Sequence, residues 1–97
     1  MGGKRSPILV KRGRMSDNEK LALTDFYSIW GAEGAQMDDL REWVKYEAPY
    51  AFSVITKLIS RGMLDVFVEN RANFVDMTPQ GEAVARMILG MVKRKRR

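Results

Sequence analysis

Residues 37–45 read MDDLREWVK, residues 48–62 APYAFSVITKLISRG, residues 64–69 LDVFVE, residues 70–77 NRANFVDM and residues 78–82 TPQGE. This stretch decides the fold. Leu40, Trp43 and Val44 give the first piece one apolar helical stripe, and Asp38 or Asp39 can cap it. The helix must stop before Pro49, because the residue before a proline avoids the helical region. Pro49 suits the first turn of the next helix, where a missing N–H costs nothing. Ala51, Val54, Ile55 and Leu58 line one face of that helix, and Gly62 is its natural terminator. Pro49, Ser53, Thr56, Lys57 and Ser60 fall on the opposite side. Small hydrogen-bonding groups with one cation suit a helix that enters a groove better than an ordinary solvated surface. Leu64 to Glu69 reads as a strand, Asn70-Arg71-Ala72-Asn73 as a turn and Phe74 to Met77 as the returning strand. Thr78 caps a last helix with Pro79 at its first position.

Working outward, Ser16-Asp17-Asn18-Glu19 is a capping box. The helix it opens is expected over 17–30, with Leu23, Phe26, Tyr27 and Trp30 on one face and Ala22 and Ile29 broadening it. Trp30, Trp43, Phe26 and Phe67 read as core aromatics rather than base-stacking groups. Gly2, Gly3, Pro7 and Gly13 break any regular element before Ser16, so residues 1–15 are expected to form a basic flexible arm. The last helix, expected over 78–92, is apolar nearly all round. One buried face does not need that much, so Val84, Met87, Ile88 and Met91 are expected to form a homodimer interface. The expected organisation is an arm over 1–15, a binding domain over 16–82, a dimer helix over 78–92 and a basic tail over 93–97.

The chain has 97 residues, room for one domain. No run of 18 apolar residues suggests a membrane span, and Pro7-Ile8-Leu9-Val10 is too short for a secretory signal. A cytoplasmic, nucleoid-associated protein is expected. There is no Cys and no His. Disulfides, zinc sites, thiol nucleophiles and imidazole bases are thereby removed, so no metal, no cofactor and no enzymatic activity are expected. The missing Cys also points weakly to a thermophilic or archaeal source. The net charge of +5 hides a split. Lys4, Arg5, Lys11, Arg12 and Arg14 stand before any acid, and residues 93–97 are Lys-Arg-Lys-Arg-Arg. The 76 residues between hold seven cations against twelve acids. Basic ends on a mildly acidic body suggest nucleic-acid contact through phosphates.

With these residues in view, the chain resembles the winged-helix transcription regulators of the MarR and PadR type and similar small archaeal DNA-binding proteins. The likeness runs from about Met37 to Ala85. Val54 to Leu64 looks like the family's recognition helix ending in Leu-x-x-x-Gly-x-Leu, Val66 to Met77 like its wing, and Met77 to Glu82 like its Leu-Thr-Pro-x-Gly helix start. The resemblance implies an α+β, mostly helical fold: a winged helix-turn-helix with a two-stranded wing and a C-terminal dimerisation helix. It implies double-stranded DNA as partner, with Ser53, Thr56 and Lys57 toward base edges or phosphates and Tyr50 near the backbone. Arg71 would reach a minor groove or phosphate. Lys4, Arg5, Lys11, Arg12, Arg14, Lys93 and Arg94 would track phosphates beyond the domain. The chain departs from the family in its shorter length, its single wing-tip Arg and its scant material for a ligand pocket. An RNA- or ribosome-associated winged helix, or one that binds proteins, is the alternative.

Overall fold

The computed structural model describes residues 14–95, with side chains described through Met91. Lys4, Arg5, Lys11, Arg12 and the side chains of Lys93 and Arg94 lie outside the described residues. Ser16 starts the first helix as expected: its Oγ accepts the Glu19 N–H at 3.1 Å, and Glu19 Oε1 accepts the Ser16 N–H at 2.6 Å. Helix α1 (Asp17–Trp30) spans the predicted residues and buries Ala22, Leu23 and Phe26. Ile29 does not join them; it is 51% exposed. The last turn packs instead through Trp30, whose ring lies 5.0 Å from Phe26 and 5.5 Å from Trp43, and Ile29 points about 100° away.

A short turn (Gly31–Glu33) leads to a strand that the sequence pattern did not reveal, β1 (Ala35–Gln36). Helix α2 (Met37–Tyr46) follows at once. Its cap position is Gln36 without a side-chain bond, so neither Asp38 nor Asp39 caps it. Both sit in the first turn, where their charge favours the helix dipole instead. A single turn of 3-10 helix (Pro49–Ala51) precedes α3 (Phe52–Ser60). Helix α3 ends in a Schellman motif: Gly62 N–H bonds the Ile59 carbonyl at 3.0 Å and Met63 N–H the Leu58 carbonyl at 2.9 Å. Gly62 supplies the required positive φ of 80°.

Strands β2 (Leu64–Glu69) and β3 (Ala72–Met77) pair antiparallel, with Leu64 opposite Met77 and Glu69 opposite Ala72. The turn is therefore two residues, Asn70-Arg71, not the four expected from sequence. Strand β1 adds to β3 through Ala35 opposite Val75, giving a three-stranded sheet in the order β1-β3-β2. Thr78 Oγ1 accepts the Gly81 N–H at 2.9 Å and donates to the Gly62 carbonyl at 2.6 Å. It thus caps α4 (Pro79–Lys95) and ties it to the end of α3. The result is an α+β fold, mostly helical, compatible with a winged helix.

The core is Leu23, Phe26, Leu40, Trp43, Val54, Leu58, Leu64, Val75, Met77 and their small neighbours. It lies between the helices and one face of the sheet, and each large side chain there contributes roughly 1.5–3 kcal/mol. Residues 14 and 15, expected in the flexible arm, are tied to it. Met15 packs against the core and the Arg14 carbonyl accepts from Arg61 at 3.0 Å. Glu19 is buried and meets the Arg61 guanidinium at 3.3 Å. Burial alone would raise its carboxyl, but the Ser16 N–H, Arg61 and Lys57 hold it below the ordinary value.

Candidate nucleic-acid interface

The outward side of α3 is built as the sequence suggests. Val54 and Leu58 turn inward, which fixes the helix about its axis. Ser53, Thr56 and Lys57 are then exposed, and Ser60 is half-buried. Tyr50 is different. Its hydroxyl donates to Asp25 Oδ2 of α1 at 2.6 Å. Burial, then the Asp25 hydrogen bond and charge, push its pKa up. The Tyr50 hydroxyl is thus engaged inside the domain.

Arg71 stands exposed at the hairpin tip. The two-residue loop gives Asn70 a φ of 52° and Arg71 a φ of 67°. Two positive φ values in a two-residue hairpin are the mark of a type I′ turn, whose second position is ordinarily Gly. An Arg there costs on the order of 1 kcal/mol in backbone strain. Asn70 tolerates the geometry far better.

Arg41, which sequence reasoning did not select, joins these two regions. It lies beside Arg71, Asn73, Gln36 and Asp38 in a polar pocket of ≈ 200 Å³ at the wing tip. It also lines an open groove of ≈ 660 Å³ between α2 and α3, together with Lys45, Phe52, Ile55, Thr56 and Ile59. One surface therefore runs from Arg71 past Arg41 and Lys45 to Thr56. The groove is lined by α2 and α3 and by no residue of α4. Its apolar wall includes Phe52, 79% exposed. Phe52 and Arg41 each carry a weak local signal, an aromatic at a polar helix start and an Arg one turn before Lys45. Neither is distinguishable in sequence from an ordinary surface residue.

The other side of the hairpin is acidic. Asp65 stands directly opposite Asp76, Phe67 opposite Phe74 and Glu69 opposite Ala72. The Phe67 and Phe74 rings stack at 5.3 Å. Phe67, expected in the core, is 36% exposed because strand alternation puts it on the outer sheet face. Burial and then the Asp65 charge raise the Asp76 carboxyl above its ordinary value.

On α4, Ala85 is buried while Met87 and Met91 are 58% and 54% exposed. Val84 and Ile88 are half-buried. No helix among the described residues is long and apolar enough to cross a membrane, and no group of three or more metal-ligating side chains occurs among them.

No protein-family model matches this chain, and no curated protein matches it. Among solved structures it is similar to AF1382 from Archaeoglobus fulgidus, at 17% identity and a TM-score of 0.57. The match covers 92% of this chain and 98% of that one. At that identity the likeness speaks for the fold alone.

Proposed function

We propose that this chain is a non-enzymatic, winged-helix DNA-binding protein of MarR/PadR-like type that works as a homodimer. It would serve as a transcription regulator or chromatin-type architectural factor. The observation that carries the reading is the surface on which Thr56, from the polar strip of α3, and the exposed Arg71 are joined through Arg41. A duplex that takes α3 in its major groove would meet the hairpin tip on the same side. Ser53, Thr56 and Lys57 would contact bases or phosphates, and Arg71, Arg41 and Lys45 would contact phosphates or the minor groove. Keeping Arg in a strained turn position fits a contact role. The basic ends would extend the phosphate contacts. The half-open apolar side of α4, with Val84, Met87, Ile88 and Met91, would pair with a second copy.

The test is a titration of the full chain against random duplex DNA and matched structured RNA at several salt concentrations, repeated with Lys57→Ala and Arg71→Ala. Each substitution should weaken duplex binding by about 1–3 kcal/mol. Unchanged affinity in both would remove α3 and the hairpin from the interface. Stronger binding to the RNA would put an RNA-associated role first.

A further inference from the structure

The outer face of the β2–β3 hairpin has a composition that the proposed function does not use. Asp65, Asp76 and Glu69 flank the stacked Phe67 and Phe74 on one side of the sheet. Like charges directly opposite each other across an antiparallel pair are destabilising. Asp65 and Asp76 are in that arrangement. The ion pairs among the described residues use Asp38, Glu19 and Glu82, and none of the three hairpin acids. Carboxylates beside an exposed aromatic face form a surface complementary to Lys and Arg side chains, through charge and through cation–π contact.

The chain carries a segment of the matching chemistry. Residues 1–13 hold Lys4, Arg5, Lys11 and Arg12 and no acid. They join the described body at Arg14, whose carbonyl is held by Arg61. Arg61 stands just four positions before Asp65. Thirteen residues reach at most about 43 Å when extended, ample to cross that gap and run along a six-residue strand of about 20 Å. The body is net acidic and the arm net basic, so the attraction acts at long range as well, over about 8 Å at physiological salt.

We propose that the hairpin's acidic aromatic face is a docking site for the chain's own N-terminal arm. The arm's cations sit against Asp65, Asp76 and Glu69, with one over the Phe67–Phe74 pair. Docking itself does not depend on the DNA-binding reading. If that reading holds, the face competes with phosphates for the arm and lowers non-specific affinity at low salt, a restraint built into the same chain.

The test uses the full chain carrying Ser6→Cys, a unique thiol in a sequence without cysteine. A nitroxide there should reduce the amide peak intensities of Phe67, Phe74 and Asp76 at least about twofold at 20 mM salt and leave Met87 unchanged. The effect should fade at 0.5 M salt and vanish in Asp65→Asn/Glu69→Gln/Asp76→Asn. That variant removes like-charge repulsion, so it should fold. Uniform intensities, or broadening unchanged by the triple substitution, would overturn the proposal. Mixing isotope-labelled chain with spin-labelled unlabelled chain separates copies, and broadening of the same size in that mixture would replace the chain's own arm by a partner's. In a parallel duplex titration the triple variant should bind several-fold tighter at low salt. Broadening without any duplex binding would uphold docking and defeat the DNA reading.

Discussion

Replacing Arg61 by Met should destabilise the domain by about 3 kcal/mol at neutral pH. The Glu19 and Arg61 side chains are 3% and 12% exposed and meet at 3.3 Å. Removing one partner of a buried pair typically costs about 3–5 kcal/mol, because the other charge is left without compensation. The lower end applies here, since Glu19 keeps the Ser16 N–H at 2.6 Å. A domain this size has a total stability on the order of 5–15 kcal/mol, so the variant stays folded at room temperature but melts roughly 12–24 °C lower. The loss should depend on pH with a defined sign. Glu19 lies below 4.5 in the folded chain. Its contribution is therefore complete above about pH 4.5 and disappears as pH falls through the depressed folded value. Without Arg61, only the Ser16 N–H and Lys57 oppose the burial cost, so the folded value rises and Glu19 contributes less at neutral pH. The difference between the two proteins should be small near pH 3 and grow toward pH 7. Asp76 titrates alike in both and cancels from the difference. Urea melts at the two pH values measure it. A loss below about 1 kcal/mol, or one that does not change with pH, would refute the claim that Arg61 neutralises a buried Glu19.

Four further outcomes follow from named contacts. Arg71→Gly should raise stability by up to about 1 kcal/mol in thermal melts, because Gly fits the positive φ, while weakening duplex binding in the same titration that tests the proposed function. Gly34→Ala should cost more than about 2 kcal/mol by chemical denaturation. Gly34 has a φ of 84°, and an added Cβ would collide with the Val75 carbonyl and force β1 off β3. Met87→Glu with Met91→Glu should leave the melt within about 1 kcal/mol of the parent, since both positions are exposed, and should convert a dimer to monomer in sedimentation analysis. Deleting residues 1–13 should flatten the salt dependence of duplex binding and leave the cooperative melt in place, because Met15 and Arg14, which contact the body, remain.

Much of the fold was legible because its signals are local. The Ser16–Glu19 box, Gly62 after Leu58, and Thr78-Pro79 each act within a turn of chain, and the structure has a cap or a stop at each. Strand β2 was legible from its bounded apolar run. Strand β1 was not, because two residues carry no alternation and Ala35 becomes a strand residue through Val75, forty positions on. The exposed polar strip of α3 was legible from helical spacing. Arg41 beside Arg71 was not, since nothing in the sequence sets the angle at which the hairpin folds back toward α2.

The sequence by itself determined the order of the four helices and the hairpin, the cap or stop residues Ser16, Gly62 and Thr78, the basic ends and the inward faces of α2 and α3. All of these depend on residues close in the chain or on simple periodicity. Tertiary structure alone decided that Tyr50 bonds Asp25, that Glu19 is buried against Arg61, that Phe67 lies on an open acidic face, and that a groove lies between α2 and α3. Those contacts join residues that are distant in the chain or seated on different elements. Their energies depend on distance and burial that only the packed chain supplies.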